Sequence, residues 1–331
     1  MTSRVVVTGA RGYVGGRLVQ MLATTPRVAV RAVTRGAARP EWGSAPEFFQ
    51  LDETLSKRSL AAACEGASHV VHLASPNERQ AQADPLGAIE GTIAVTVRLL
   101  EAAIAAGVQR VIYLSTAHVY GAPLVGDITE EHPTRPVHPY AITHRAAEDF
   151  TLAAGQRGIE SVVIRLSNGV GAPIASDVDR WSLIANDVCL QLKRSGSVTL
   201  HSSGLQYRDF IPLADACRAI LHLLLLPHSE LGNGVFNVGA GRSMRVRELV
   251  ELVCDRFERL THQRPHLDVP SADASEVHEP LHYRIDKLRA TGFEPNATLE
   301  EEIDATLQVC GVRPTFSGAS ASSGATLPNR S

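Results

Sequence analysis

Short β-branched runs alternate with longer stretches of helical spacing along the first half of the chain. The run at residues 5–7 is followed by glycines and then by an amphipathic segment that carries Leu18, Val19 and Leu22. Strands that alternate with helices favour a parallel sheet covered on both faces. The pattern therefore predicts an α/β fold with a doubly wound parallel sheet, whose further strands lie at residues 27–34, 48–51, 67–75, 109–114 and 161–166.

Helical periodicity fills the segments between these strands. The longest pattern, at residues 85–107, places apolar side chains on one face and ends in a glycine. Other helices are predicted at 55–64, from Tyr140 onward, at 181–192, 213–226, after Val246 and at 299–309. Residues 198–201 and 234–239 are predicted as short strands, and 123–139 as a polar, proline-rich loop.

Three glycines follow the first strand at intervals of three residues. Gly9 allows a tight turn, Gly12 lets the backbone approach a pyrophosphate, and Gly15 lets the helix pack against the strand. An ordinary strand-to-helix turn is the alternative. The position between a strand and a helix favours nucleotide binding, with candidate contacts at Gly9, Arg11, Gly12, Tyr13, Val14 and Gly15.

The end of the second strand bears on the choice of dinucleotide. Asp or Glu normally binds the adenosine ribose there, whereas this chain has Val33-Thr34-Arg35. A guanidinium can pair with a 2′-phosphate, so the sequence favours NADP over NAD. The simpler interpretation of Arg35 is a solvated loop charge that contacts no cofactor. Asp52, after the third strand, is predicted to approach the adenine.

Candidate chemistry gathers at the carboxyl ends of the central strands. The fourth strand runs into the turn Leu73-Ala74-Ser75, and the fifth ends in Ser115 and Thr116, whose hydroxyls can bond a carbonyl or an alcohol. Tyr140 and His144 are four residues apart and share a helix face. A phenol in such a site can transfer a proton while a hydride moves to or from the adjacent carbon.

Several motifs occur in an order that resembles the extended short-chain dehydrogenase/reductases, in particular the nucleotide-sugar epimerase, dehydratase and ketoreductase group. The resemblance covers about 310 residues and rests on Thr8-Gly9-x-x-Gly12-x-x-Gly15, His72-Leu73-Ala74, Ser115-Thr116-x-x-Val119-Tyr120-Gly121, Pro139-Tyr140-x-x-x-His144, Arg165-Leu166-Ser167-Asn168, Arg208-Asp209-Phe210-Ile211 and Phe236-Asn237-Val238-Gly239. It implies an N-terminal Rossmann domain and a smaller α/β C-terminal domain that closes over a nucleotide sugar.

The resemblance also implies boundaries and roles. We expect the dinucleotide-binding domain at 1–166 plus about 212–240, the substrate domain at 167–211 and 241–312, and a disordered tail at 313–331. Thr116 would polarise the sugar oxygen and Tyr140 would exchange its proton. Asn168 would contact the substrate, and Arg208 its diphosphate. The simpler interpretations are a left-handed turn at Asn168 and a surface salt bridge between Arg208 and Asp209.

Three departures from the family pattern limit the reaction. His144 stands where the family has a lysine, which holds the nicotinamide ribose and lowers the tyrosine pKa. A histidine is mostly neutral at neutral pH and supplies less positive charge to the tyrosine. Proton transfer could therefore go through His144 or His118 instead. Ala117-His118 stands where the sugar dehydratases have an Asp-Glu pair. Without these two carboxylates, the chain is not expected to eliminate water from the sugar. The second diphosphate-binding arginine has only Arg284 as a nearby candidate.

Composition excludes other classes of function. A formal net charge of −3 over 331 residues gives no basic field for nucleic acid. The sequence has neither a membrane-spanning apolar run nor a signal peptide, so we predict a cytoplasmic protein. Its five cysteines are predicted to be reduced and mostly buried, and its histidines show no metal-ligand spacing.

The leading hypothesis is an NADPH-dependent reductase that acts at carbon 4 of a nucleotide-linked keto sugar, with Thr116, Tyr140 and His144 as its catalytic residues. A 4-epimerase with a tightly bound dinucleotide is the first alternative. The second, motivated by His144, is a relative that binds a dinucleotide or a nucleotide sugar without turnover. The resemblance also implies a homodimer formed through the helices at 85–107 and 140–155.

Overall fold

The computed structural model describes residues 2–36, 42, 46–272 and 279–313. The strands are β1 Ser3–Thr8, β2 Val28–Thr34, β3 Glu47–Gln50, β4 His69–His72, β5 Arg110–Thr116, β6 Gly126–Ile128, β7 Glu160–Leu166, β8 Asn168–Val170, β9 Ser197–Thr199, β10 Tyr207–Pro212, β11 Val235–Val238, β12 Ser243–Arg245, β13 His266–Asp268 and β14 Leu281–Tyr283. Seven of them form one sheet, in the order β11-β7-β5-β4-β1-β2-β3, and every pair in it is parallel.

The helices are α1 Tyr13–Ala23, α2 Lys57–Cys64, α3 Glu78–Ala83, α4 Pro85–Ala88, α5 Val95–Ala105, α6 Pro139–Ala154, α7 Ile184–Ser195, α8 Leu213–Leu225, α9 Val246–Thr261, α10 Asp286–Ala290 and α11 Leu299–Val309. The long helix predicted at 85–107 is α4 and α5 joined by a π-helical stretch, Ile89–Ala94. The helix predicted from residue 181 begins only at Ile184.

The central strand β1 explains why the sheet is covered on both faces. Val5 and Val7 belong to the core that holds Leu18 of α1 and Ile220 of α8. Val6 points the other way, into the core that holds Leu60 of α2 and Leu99 of α5. Successive strand side chains face opposite sides of a sheet, so this continuous apolar run requires helices on both. The predicted doubly wound parallel sheet is confirmed.

The remaining elements build a smaller layer beside the carboxyl ends of the main sheet. β8, β10 and β12 form a three-stranded sheet, and α7, α9 and α11 share a separate core with it. The segment predicted as a loop, 123–139, contains the short strand β6, which pairs with β14. β9 pairs with β13. The separate cores are compatible with the predicted two domains, whose boundaries stay a prediction.

Other predictions concern single features. The five cysteines are free, with Cys64, Cys189, Cys217 and Cys254 buried and Cys310 partly so. Apart from Arg313, the predicted tail lies outside the described residues. Within the described ranges, no helix is both long and apolar enough to cross a membrane.

Candidate active site

A cavity of about 520 Å³ opens at the carboxyl ends of β1, β2, β4, β5 and β7. All six predicted contacts of the glycine segment line it, together with Arg35, Leu73, Ala74, Ser75, Thr116, His118, Tyr140, His144 and Asn168. Asp52 and Arg208 are not among its lining residues. The structure thus brings together nearly all residues that the sequence singled out.

The glycine segment forms the floor of this cavity. Gly9 has a φ of +68°, and a Cβ there would lie 2.8 Å from the Ala74 nitrogen. A Cβ on Gly15 would lie 2.1 Å from the Gly9 carbonyl oxygen, so α1 can approach β1 only with glycine at this position. Gly12 precedes α1 without a side-chain cap, which leaves N–H groups of the first turn free for an anion.

Two arginines line the cavity near the end of β2. Arg35 follows the strand and lines the cavity. Arg11 reaches over from the glycine segment, since a Cβ on Gly36 would lie 2.9 Å from its Nη1 atom. Asp177 pairs with Arg11 at 2.8 Å, but both side chains are solvent-exposed enough for this pair to be weak.

Tyr140 lies in the first turn of α6 and faces the end of β5. Its phenol shares the cavity with Thr116 and Arg180, and both of these groups lower the pKa of Tyr140. Burial is the main cause that raises the pKa of Tyr140 to about 12, and the Glu78 carboxylate adds to the rise. The phenol is therefore protonated at neutral pH and can act as an acid.

His144 packs one turn after Tyr140, with 4.4 Å between the ring centroids. The Tyr113 hydroxyl lies 2.7 Å from its Nδ1 atom. Burial raises the pKa of Tyr113 well above its usual value, so the phenol keeps its proton and can donate a hydrogen bond to the Nδ1 atom of the neutral imidazole. Burial also lowers the pKa of His144 to about 3, so the imidazole is neutral and carries its proton on Nε2.

The Nε2 atom of His144 is buried and has no hydrogen-bond partner among the described residues. A buried polar atom without a partner is costly, so a ligand group is expected there. A ribose hydroxyl could accept from Nε2 while a pyrophosphate lies against the free N–H groups of α1. The cavity thus fits a dinucleotide by two independent features.

The candidate substrate residues lie after β5 and on β8 and β10. His118 donates its backbone N–H to the Thr116 hydroxyl at 3.2 Å, and burial lowers the pKa of its imidazole. Asn168 belongs to β8 and donates its amide to the Asp209 carbonyl at 2.9 Å, which excludes the turn interpretation. Arg208 donates to the Asn168 side chain at 3.4 Å and lies just outside the lining.

Local contacts bear on two further predictions, the surface salt bridge between Arg208 and Asp209 and the position of Asp52. The Asp209 carboxylate, buried beneath this region, accepts from Ser167 at 2.6 Å and from the Ala240 N–H at 2.8 Å, so these contacts and not a surface pair with Arg208 define its position. Asp52 is exposed and accepts from the Ser56 N–H at 2.8 Å and from the Ser56 hydroxyl. Its carboxylate is held at the start of α2, so its predicted approach to the adenine has no geometric support.

Sequence reasoning missed Glu78 and Arg180. Both line the cavity, and they form an ion pair at 3.1 Å although they are 102 residues apart. Neither residue belongs to a motif, and their charges alone predict only solvated loop positions. Tertiary structure is the only signal that identifies them.

The model of the NAD dependent epimerase/dehydratase family matches residues 5–239. The chain belongs to this family. Similar curated proteins include UDP-glucose 4-epimerase of Azospirillum brasilense, 29% identical over 91% of this chain and 94% of that protein. GDP-6-deoxy-D-mannose reductase of Pseudomonas aeruginosa is also 29% identical, over 93% of this chain and 97% of that protein.

Solved structures of other proteins share the fold of this chain. RMD from Pseudomonas aeruginosa, complexed with NADPH, is 26% identical with a TM-score of 0.74 and covers 93% of this chain and 99% of its own. UDP-glucose 4-epimerase of Thermotoga maritima, at 23% identity, shares the fold with a TM-score of 0.77 over 92% of this chain and 98% of its own. The predicted short-chain dehydrogenase/reductase fold and an NAD(P)-dependent enzyme of this family are confirmed.

Proposed function

We propose that the protein is an NADPH-dependent reductase of a nucleotide-linked 4-keto sugar. The observation that carries this proposal is that the Arg11 guanidinium reaches Gly36, next to Arg35, at the end of β2, where the lining residues Val33 to Gly36 include no carboxylate. Two guanidinium groups suit a 2′-phosphate, and NADPH is the dinucleotide typical of net reduction. The similar reductase structure that holds NADPH supports the same choice.

The cofactor side of the mechanism uses residues already placed in the cavity. The N–H groups at the start of α1 would hold the pyrophosphate, and His144 Nε2 would donate to a nicotinamide ribose hydroxyl. When bound, the nicotinamide supplies a hydride to the carbonyl carbon. Ala74 and Ser75 line the same cavity and would contact the bound dinucleotide.

The proton side belongs to Tyr140 and Thr116. The Thr116 hydroxyl would donate to the keto oxygen, and the Tyr140 phenol would give that oxygen its proton as negative charge develops on it. Asn168, His118 and the neighbouring Arg208 are proposed to contact the nucleotide sugar. An alanine at 117 provides no acid for elimination of water, so the proposed reaction ends at the alcohol.

We further propose that two copies pair through the helical segment at 85–105 and α6. Large apolar side chains on these elements are exposed, with Leu86 at 76%, Ile142 at 49% and Phe150 at 48%. Exposed apolar residues on adjacent helices are typical of an interface between subunits.

The test is NADPH oxidation with a panel of nucleotide-linked 4-keto sugars. Tyr140→Phe should lower kcat about 100- to 10,000-fold, because the phenolic proton is lost, while NADPH affinity stays nearly unchanged. Tyr207→Phe, at a partly buried tyrosine of β10 outside the cavity lining, is the matched control and should retain activity.

Other outcomes would replace the proposal. Copurified dinucleotide, with interconversion of nucleotide sugars and no net NADPH consumption, would identify a 4-epimerase. Tight binding of NADPH and nucleotide sugars without turnover of any panel member would identify a binding protein. Full activity of Tyr140→Phe would reject the proposed acid.

A further inference from the structure

The proposed acid needs a positive charge that His144 does not supply. A phenol that gives up its proton is left as a phenolate, and a nearby cation lowers the free energy of that state. His144 is neutral because it is buried and accepts a hydrogen bond on Nδ1. The question is therefore which other residue of the cavity is charged and reaches Tyr140.

Arg180 meets both conditions. Arg180 lines the cavity together with Tyr140, its guanidinium charge lowers the pKa of the Tyr140 phenol, and only 23% of its side chain is exposed. Its backbone is fixed by its own N–H, which donates to the Val178 carbonyl at 2.8 Å, and by the Asn186 amide, which donates to its carbonyl at 3.1 Å. The charge therefore comes from a fixed turn of the chain.

Contacts across the cavity hold this turn in place. Glu78, in the first turn of α3, pairs with Arg180 at 3.1 Å. Asn77, the N-cap of the same helix, donates to Asp179 at 3.3 Å. The Glu78 carboxylate accepts from the Arg180 Nη1 atom, and its negative charge raises the pKa of Tyr140 whereas the Arg180 charge lowers it.

We propose that Arg180 is a catalytic residue that stabilises the Tyr140 phenolate, in the role left open by the histidine at position 144. The inference rests on the proposed function. In the step concerned, the O–H bond of Tyr140 breaks, a new O–H bond forms on the sugar oxygen, the hydride from NADPH adds to the sugar carbon, and solvent reprotonates the phenolate afterwards.

A purely structural Arg180 is the competing explanation. In that case Glu78 and Arg180 only fasten the turn of residues 177–180 to α3, and loss of either partner should have the same effect. If Arg180 acts through its charge, loss of the two partners should shift the ionisation of Tyr140 in opposite directions. A comparison of the Glu78 and Arg180 variants therefore distinguishes the two explanations.

The first experiment measures kcat and NADPH affinity. Arg180→Gln should lower kcat about 10- to 100-fold and leave the Kd for NADPH within about twofold, whereas Arg180→Lys should retain most of the rate. His144→Lys should restore activity to Arg180→Gln by returning a cation to Tyr140. Arg79→Gln, at an exposed position of α3 outside the lining, should match the wild type. Wild-type kcat in Arg180→Gln, or equal losses in the Gln and Lys variants, would overturn the proposal.

The second experiment needs neither cofactor nor substrate. Fluorine NMR of protein that contains 3-fluorotyrosine follows the titration of each phenol, and Tyr140→Phe assigns the signal. The Tyr140 signal should titrate at higher pH in Arg180→Gln and at lower pH in Glu78→Gln. An unchanged titration in both variants would refute the role of Arg180. A wild-type protein that reduces no keto sugar, yet shows both opposite shifts, would instead reject the proposed reaction and keep the Arg180–Tyr140 coupling.

Discussion

His144 should make the protein less stable in mild acid. Its folded-state pKa is about 3 because the ring is buried, whereas the unfolded chain has the ordinary value of 6.5. Below pH 6.5 the unfolded state binds a proton that the folded state does not. The stability contributed by the neutral ring is therefore complete above pH 6.5, and it is lost as the pH falls from 6.5 toward 3.

The size of the effect follows from the two pKa values. A pH of 5 lies about 1.5 units below the pKa of histidine in the unfolded chain, whereas the folded ring is still neutral at this pH. The free energy of unfolding is therefore about 2 kcal/mol lower at pH 5 than at neutral pH. His72, buried with a pKa lowered to about 4, adds a loss of similar size. The contribution of His144 must therefore be isolated by substitution.

His144→Gln provides that isolation. The amide can still accept a hydrogen bond from Tyr113 but does not titrate. Urea unfolding at neutral pH and at about pH 5 should show that the wild type loses about 2 kcal/mol more unfolding free energy than the variant. His266→Gln, at an exposed position, is the control and should keep the wild-type difference. Equal losses in wild type and His144→Gln would mean that His144 is charged or solvated, and the need for Arg180 would disappear.

Two further predictions concern the cofactor and the assembly. Gly15→Ala places a Cβ 2.1 Å from the Gly9 oxygen, so α1 must move and NADPH affinity should fall at least about 100-fold in a fluorescence titration; unchanged affinity would contradict a cofactor bound at this turn. Phe150→Glu adds a charge to an exposed apolar position of α6, which belongs to the proposed dimer interface. We expect sedimentation to show a dimer for the wild type and a monomer for the variant, and a dimeric variant would exclude this interface.

Local patterns account for the predicted site residues that the structure brings together in one cavity. The spacing of Gly9, Gly12 and Gly15 reports backbone geometry that only glycine permits, and the four-residue spacing of Tyr140 and His144 reports one turn of a helix. The valines of β1 indicated burial on both faces because no polar residue interrupts them. Each of these signals lies within a few residues along the chain.

The parts that were missed depend on contacts between distant segments. Glu78 and Arg180 meet only because the turn after β8 folds back over α3. β6 and β14 are three residues long each, and nearly half of the chain length separates them in sequence. The contact of Asp52 with the adenine stays a prediction, and its carboxylate accepts a local hydrogen bond from Ser56 that the sequence did not indicate.

The most direct test of the account is the structure of the protein with NADP⁺ and its nucleotide sugar bound. We expect the Tyr140 and Thr116 hydroxyl oxygens within about 3 Å of one sugar oxygen, and the reactive nicotinamide carbon within about 3.5 Å of the carbon that bears it. A sugar bound with that oxygen far from Tyr140, or a nicotinamide ring turned away from it, would contradict the account.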